Sequence, residues 1–413
     1  MKKIFFLFII FLMIGEAFAA APLELSANKA IALALENSGS IKRSEITLKA
    51  LERAKKHSWN SIAPYADLSA SYDISDLWAT SSHTLQGNFS AGIELPLSSF
   101  SEVKSGKKNY EEGLVAFELV RREIERQVQK LYFTILYQQA YCDLQEHNLE
   151  TGRLTYEQNL KKYNEGRLSK IDVMTSKINI EKLKVSLKQA VIEKNQNIQS
   201  LKELLGLDLN SEIKLTDSLE ESARKVFEDF EPGKLSENLK IRQLEKKIES
   251  LEAAAKMTKA QNLLPSLKAG VNLNPAKNFG GDEWTMTDSA TVTLSFSFSN
   301  FFPFSKASDN IAAAKDAVKD ARLELESEKK KLEIKKLSDI EKINLLKNQI
   351  ESAKANIDLC LANYAMTKSA YEKGSKGILD LQNASDLVIQ AQVSQLSDYL
   401  ELISAVTDYK LGY

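Results

Sequence analysis

Apolar positions recur every seven residues over long stretches of this chain. Val128, Ile135, Cys142, Leu149, Tyr156 and Tyr163 form one row. Ile343, Ile350, Ile357, Tyr364 and Tyr371 form another, with Leu346, Ala353 and Cys360 as its companion. Val173, Ile180 and Leu187 repeat the pattern, with Leu183 and Ala190 between them. A period of seven keeps apolar side chains on one stripe and packs helices side by side in a left-handed coil. The pattern predicts helices over about 26–62 (split near Asn37-Ser38-Gly39), 102–164, 169–205, 239–263, 305–373 and 378–411. At 1.5 Å per residue the longest would reach roughly 90 to 105 Å, far more than a globular core requires. Such reach has to span something.

Between the helices the period drops to two. Leu68, Ala70, Tyr72 and Ile74 alternate with Asp67, Ser69, Ser71 and Asp73, and Leu85, Phe89, Ala91, Ile93 and Leu95 alternate with Gln86, Asn88, Ser90 and Glu94. Later, Leu267, Ala269, Val271 and Leu273 stand against Ser266, Lys268, Gly270 and Asn272. Ala290, Val292, Leu294, Phe296 and Phe298 stand against Thr291, Thr293, Ser295, Ser297 and Ser299. Strict alternation predicts strands near 66–74, 84–95, 266–274 and 289–299, each with one apolar and one polar face. About ten residues is the length at which a tilted strand crosses a bilayer. No other segment is left over to cover two such hairpins, so they read as membrane β-structure.

The two halves of the chain repeat one another. Pro64 ends the first helical region and opens a hairpin, and Pro265 does the same later. The same spacing carries Ala91 to Val292, Ile93 to Leu294, Leu95 to Phe296, Leu97 to Phe298 and Asn109 to Asn310. Further on, Tyr163-x-x-Gly166 followed by Ile171-Asp172-Val173 recurs as Tyr371-x-x-Gly374 followed by Leu379-Asp380-Leu381, at a spacing seven larger. One extra heptad is expected to lengthen the second arm by two turns without rotating its buried face. The chain thus reads as helix, hairpin, long helix, glycine turn and return helix, twice over, with repeat one about 20–206 and repeat two about 207–413. Four strands cannot close a barrel, and open sheet edges are not tolerated in lipid. Copies must therefore associate. Two would give eight strands, whose interior fills with side chains; three would give twelve, within the bacterial range. A duct favours three.

The N-terminus adds a destination. Lys2 and Lys3 precede an apolar run over 4–14 and the small-residue string Ala17-Phe18-Ala19-Ala20. That describes a secretory signal peptide over 1–19, with an uncleaved interfacial anchor as the other reading. No cysteine stands at the cleavage point to suggest lipid attachment. With 55 basic and 56 acidic residues nothing points to nucleic acid. The 7 prolines and 16 glycines are few, which favours long helices. Cys142 and Cys360 fall on heptad rows and read as small buried hydrophobes, although the exported compartment would permit a bridge. His57, His83 and His147 are scattered, without metal-ligand spacing. No nucleophile–base pair, metal cluster or phosphate-cradling loop appears, so neither an enzyme nor a cofactor is expected.

This ordered, repeated set resembles the TolC family of outer-membrane efflux ducts over essentially the whole mature chain, 20–413. The resemblance implies a mainly α protein with membrane β-structure: duplicated coiled-coil hairpins forming an α-barrel in the periplasm, and four strands per protomer of a trimeric twelve-strand β-barrel in the bacterial outer membrane. It implies a homotrimer that passes small molecules, ions or proteins outward as part of a tripartite efflux or type I secretion system. Its partners would be a periplasmic adaptor (membrane fusion protein) and an inner-membrane efflux pump or ABC transporter.

The resemblance also assigns the two glycine turns, near 163–173 and 371–381, to the periplasmic tips. Adaptor-contacting positions would be Asn164, Gly166, Arg167 and Leu168 in the first, and Gly374 and Ser375 in the second. The family usually carries an apolar residue just before the glycine; Glu165 and Lys373 stand there, which implies either a more electrostatic contact or a distinct partner. The periplasmic gate would comprise Asp172 with Tyr371 and Lys376, and a ring of Asp380. Asn383 replaces a second acidic position. Several copies of one carboxylate around a narrow axis would hold cations and repel anions. Asp172 and Asp380 equally suit the first turn of a helix, where the dipole favours negative charge.

Elsewhere, the polar and acidic stretch 210–232 would form a belt midway along the helices. Trp78 and Trp284 are expected in the loops of the hairpins, and Asn278-Phe279-Gly280-Gly281-Asp282 in a turn facing outside. Two alternatives stand beside the duct. A periplasmic adaptor has one helical hairpin flanked by small β modules, against the two repeats here. A periplasmic coiled-coil scaffold would need no bilayer-length strands.

Overall fold

The computed structural model describes residues 23–75, 82–228, 230–231, 238–279 and 283–412. The signal segment, Trp78, Gly280, Gly281, Asp282 and the end of the expected belt lie outside the described residues.

The chain begins with β1 (Leu23–Leu25), α1 (Ala27–Asn37), α2 (Gly39–His57) and a 3-10 turn over Ser58–Ile62. The first hairpin is β2 (Tyr65–Ser75) and β3 (Ser82–Pro96), followed by α3 (Ser99–Asn164) and α4 (Lys170–Leu205). A short strand β4 (Ile213–Leu215) and α5 (Leu219–Glu228) lead to α6 (Leu239–Leu263). The second hairpin is β5 (Ser266–Asn278) and β6 (Trp284–Ser295), followed by α7 (Lys306–Glu372) and α8 (Ile378–Gly412).

Local chemistry sets these boundaries. Ser26, Ser169 and Ser305 cap α1, α4 and α7 by accepting backbone N–H bonds three residues ahead. Before Pro265, Leu264 is extended, as a residue preceding proline must be, and α6 stops there. Ser38 splits α1 from α2. The extra heptad does not lengthen the second arm: α7 has 67 residues against 66 in α3. It starts later because Phe298–Phe301 form a 3-10 turn, held by Asn300 Nδ2 donating to Asn262 O at 2.7 Å. The fourth strand accordingly ends at Ser295, not 299, and Phe296 packs on Phe298 and Phe301 instead of pairing. Trp284 opens β6 opposite Lys277 and is not in the loop.

The helices form a wall. Towards the sheet the lateral order is α2-α3-α6-α7, and towards the glycine turns it is α4-α3-α8-α7. The two long helices run through; the shorter ones meet end to start. Gly206, at the end of α4, abuts Asn37 just before α2. The α8 terminus meets α6 where Asn238 Nδ2 donates to Gly412 O at 2.7 Å. Asn238, fully buried, also caps α6 by accepting from Lys240 N and Ile241 N.

At this level, halfway along α3, lies the main core. Leu25, Ile31, Tyr132, Ile135, Leu201, Ile343, Ile403 and Tyr409 belong to one cluster. The belt wraps it: β1 pairs in parallel with β4, Ala27 N donates to Asp217 Oδ2 at 2.8 Å, and Tyr132 Oη donates to Leu25 O at 2.9 Å. Between core and sheet the helices are cross-linked by Lys108–Glu249, Lys247–Glu324 and Arg322–Glu252. Such solvent-screened pairs contribute little, so they tune the wall while apolar burial holds it.

The hairpins join into one antiparallel sheet, ordered β2-β3-β5-β6. Registers such as Leu68↔Phe89, Phe89↔Leu273 and Ala269↔Val292 put the apolar positions on one face. Asp67, Ser90, Asn272 and Ser289 share the other. The apolar face is bare, with Leu68 83% and Val292 78% exposed. Among the described residues no helix is long and apolar enough to cross a membrane.

Candidate functional site

Both long helical hairpins end in the same glycine turn. Gly166 lies in the left-handed region at φ 72° and Gly374 at φ 76°. At the first turn Gly166 N donates to Tyr163 O and Arg167 N to Lys162 O, both at 2.8 Å. At the second, Gly374 N donates to Tyr371 O and Ser375 N to Ala370 O, both at 3.0 Å. This pair of bonds closes a helix and reverses the chain, and glycine reaches the required φ without a Cβ clash. Asn164, Arg167, Ser375 and Lys376 are exposed at these ends, Leu168 is half-buried, and Arg167 pairs with Glu165.

The aspartates open the return helices. Ser169 Oγ donates to Asp172 Oδ2 at 2.6 Å and accepts from Asp172 N at 3.2 Å. Asp380 Oδ2 accepts from Gly377 N at 3.0 Å, with Lys376 Nζ 3.8 Å from its Oδ1. Asn383 is exposed one turn further on. Within one copy Asp380 therefore bonds a backbone N–H at the start of its helix and Asp172 bonds the capping hydroxyl, and both lie in a first turn where the dipole favours them. Among the described residues no ion pair joins Lys376 to Asp172.

Tyr371 is brought to a different partner. Its hydroxyl donates to Asn159 Oδ1 at 2.6 Å, and Lys162 Nζ stands 5.0 Å above its ring. Burial, and then the charge of Asp172, pushes the phenol above its ordinary range. Asn159 is fully buried, and its Nδ2 reaches Ser176 Oγ at 3.4 Å. Three helices, α3, α4 and α7, meet at this amide.

Asn159 lies off the apolar rows, although the sequence carries a signal for it. Gln138, Gln145, Gly152 and Asn159 recur every seven residues beside the apolar row of α3. Gln145 and Asn159 are buried, and Gln138 accepts from Asn197 of α4 at 2.9 Å. The same seam holds a small polar cleft lined by Asn148, Thr151, Ser176, Asn179, Ser385 and Asp386. Burial raises the Asp386 carboxyl and Lys182 opposes that shift. Cys142 and Cys360 are both free thiols.

Taken together, the geometry is a helical wall with a polar seam near its tips and a sheet with one bare apolar face. The profile of the outer membrane efflux protein family matches residues 30–207 and 234–407. This chain belongs to that family. It is an outer-membrane efflux channel, not an enzyme, and the adaptor and scaffold alternatives fall away.

Solved structures share the fold of this efflux protein at low identity. A membrane protein from Pseudomonas aeruginosa superposes with a TM-score of 0.78 at 15% identity, covering 94% of this chain and 92% of its own. The transmembrane channel CusC gives 0.77 at 14% identity over 93% and 91%. The outer membrane protein VceC from Vibrio cholerae gives 0.73 at 13% identity over 94% and 96%. A search of curated proteins finds no match.

Proposed function

We propose that this efflux channel works as a ring of three copies, with a shared twelve-strand barrel in the outer membrane and a shared helical tunnel in the periplasm. One observation carries the reading: the free edges of every layer lie on the same two sides of the protomer. β2 and β6 end the sheet, α2 and α7 end the upper wall, and α4 and α7 end the lower wall. A carboxyl-free heptad row, Ile171, Ile178, Val185 and Ile192, is exposed along α4, and Leu345, Leu359 and Met366 are exposed along α7. Paired across a boundary between copies, these rows would complete the coil. Three copies give the strand number of an open bacterial barrel.

In this reading the glycine turns face the inner membrane and receive a periplasmic adaptor, behind which stands an efflux pump or ABC transporter. No atom lies within 4 Å of where a Cβ on Gly166 or Gly374 would stand, so the tips are open to contact. Asn164, Arg167, Leu168 and Ser375 would flank that contact. Asp172, Tyr371, Lys376, Asp380 and Asn383 would line the closed entrance, three copies of each carboxylate gathering cations. The cargo class is small molecules, ions or proteins. The test is the mass of the detergent-extracted assembly together with its conductance in planar bilayers. A trimer that conducts supports the proposal; a monomer without membrane affinity overturns it.

A further inference from the structure

Asp288 is the one carboxylate on the apolar face of the sheet among the described residues. Its cross-strand neighbour is Leu273, and Phe89 and Leu68 continue the row. Met286 and Ala290 flank it on its own strand. It stands four residues along the strand from Trp284, about 13 Å into the apolar band. Among the described residues it takes no hydrogen-bond or ion-pair partner within the copy. A bare carboxylate at such depth is costly in lipid. Since β6 is an edge strand, the missing neighbour is β2 of the adjoining copy, a step that rests on the ring proposed above.

The internal repeat supplies the register. Within a copy the boundary between repeats is the β3–β5 pairing, with Ile93 opposite Ala269 and Phe89 opposite Leu273. The spacing that carries Pro64 onto Pro265 carries β3 onto β6 and β2 onto β5. The boundary between copies then repeats the pairing: Leu294 meets Leu68 of the adjoining copy, Ala290 meets Tyr72, and Asp288 meets Ile74. Tyr72 lies on the diagonal from Asp288, about 7–8 Å between Cα atoms and within side-chain reach.

On the apolar face of the β2–β3 hairpin, Tyr72 and His83 are the only polar side chains among the described residues. They already form a unit: Tyr72 Oη and His83 Nδ1 are 2.8 Å apart, and their rings stack at 5.9 Å. We infer that this pair receives Asp288 of the adjoining copy. The carboxylate accepts from the tyrosine hydroxyl, whose oxygen accepts in turn from the His83 Nδ1–H. Each boundary between copies thereby gains a polar lock on the lipid side, incomplete in any single copy.

Cysteine pairs test the placement in a Cys142→Ser, Cys360→Ser background. Oxidation should join copies through Ala290→Cys with Tyr72→Cys, which stand directly opposite on the lipid side, and through Ser69→Cys with Thr293→Cys, which face the lumen in the same register. Cross-linking of the second pair alone overturns the lock; failure of both overturns the ring itself. Energetic coupling is read from heat dissociation of the full-length assembly. Asp288→Asn and Tyr72→Phe should each lower the dissociation temperature, and the double variant should fall no further than the worse single one. Additive losses, or an assembly made more stable by Asp288→Leu, would mean that the charge simply faces lipid, and the lock would be abandoned.

Discussion

The hydroxyl of Tyr371 donates a 2.6 Å hydrogen bond to the side-chain oxygen of Asn159, joining α7 to α3 one helical turn from the second glycine turn. Both residues are buried, and the Asn159 amide also reaches Ser176 of α4. Removing one partner strands the other: an unsatisfied buried polar group costs about 1–3 kcal/mol. Tyr371→Phe and Asn159→Ala should therefore loosen the tips and raise mean single-channel conductance in planar bilayers. Conductance equal to the parent's in both variants would show that this bond does not hold the entrance.

Asp380 makes a second, separate prediction. If three copies of its carboxylate gather at the axis, Asp380→Ala should weaken block of conductance by added divalent cations. Should block persist unchanged, Asp380 would be left with only its bond to Gly377 N.

Two glycines with similar backbone angles should respond differently to alanine. Gly166 at φ 72° and Gly206 at φ 66° both force a left-handed alanine, at roughly 1–2 kcal/mol. At Gly166 the new methyl meets open space, whereas at Gly206 it would stand 2.9 Å from Asn37 Cβ. Gly206→Ala should lower the unfolding midpoint clearly more than Gly166→Ala. Equal losses would argue against a tight junction between the ends of α4 and α1.

The belt predicts an alkaline limit. Burial, and then the Asp217 carboxylate, pushes the Tyr132 phenol up to about 12 from its ordinary 10.0. A raised acid keeps its neutral form in the folded state. Its contribution is complete below pH 10 and is lost as pH climbs towards about 12. Thermal unfolding of the parent should fall more steeply over that window than that of Tyr132→Phe, which has no proton to lose. Parallel curves would place the alkaline loss elsewhere.

Much of this molecule could be read from periodicity because long coils and two-faced strands each impose one. Val128 and Ile135 lie in the core as their row requires, and Leu68 and Phe89 share a face as alternation requires. The belt left no comparable trace: β1 and β4 are three residues each and pair across the whole first repeat. Segments so short carry no period. At the tips the repeated Tyr-x-x-Gly turn singles out Tyr371, but its partner Asn159 carries no such mark. A heptad search weights apolar rows, and Asn159 belongs to the polar row beside one. The end of β6 is hidden for the opposite reason: Phe296-Ser297-Phe298-Ser299 alternates perfectly, yet the two aromatics pack edge to face and leave the ladder.

The meeting of Gly206 with Asn37, and of Gly412 with Asn238, has a mechanical consequence. Two struts of each protomer are unbroken beams of roughly 100 Å, and two are articulated at mid-height. Bending therefore concentrates at one level, where the pins are. Rotation there by about 2° would swing an end roughly 50 Å away through about 2 Å, a useful lever for anything that pulls on the far end.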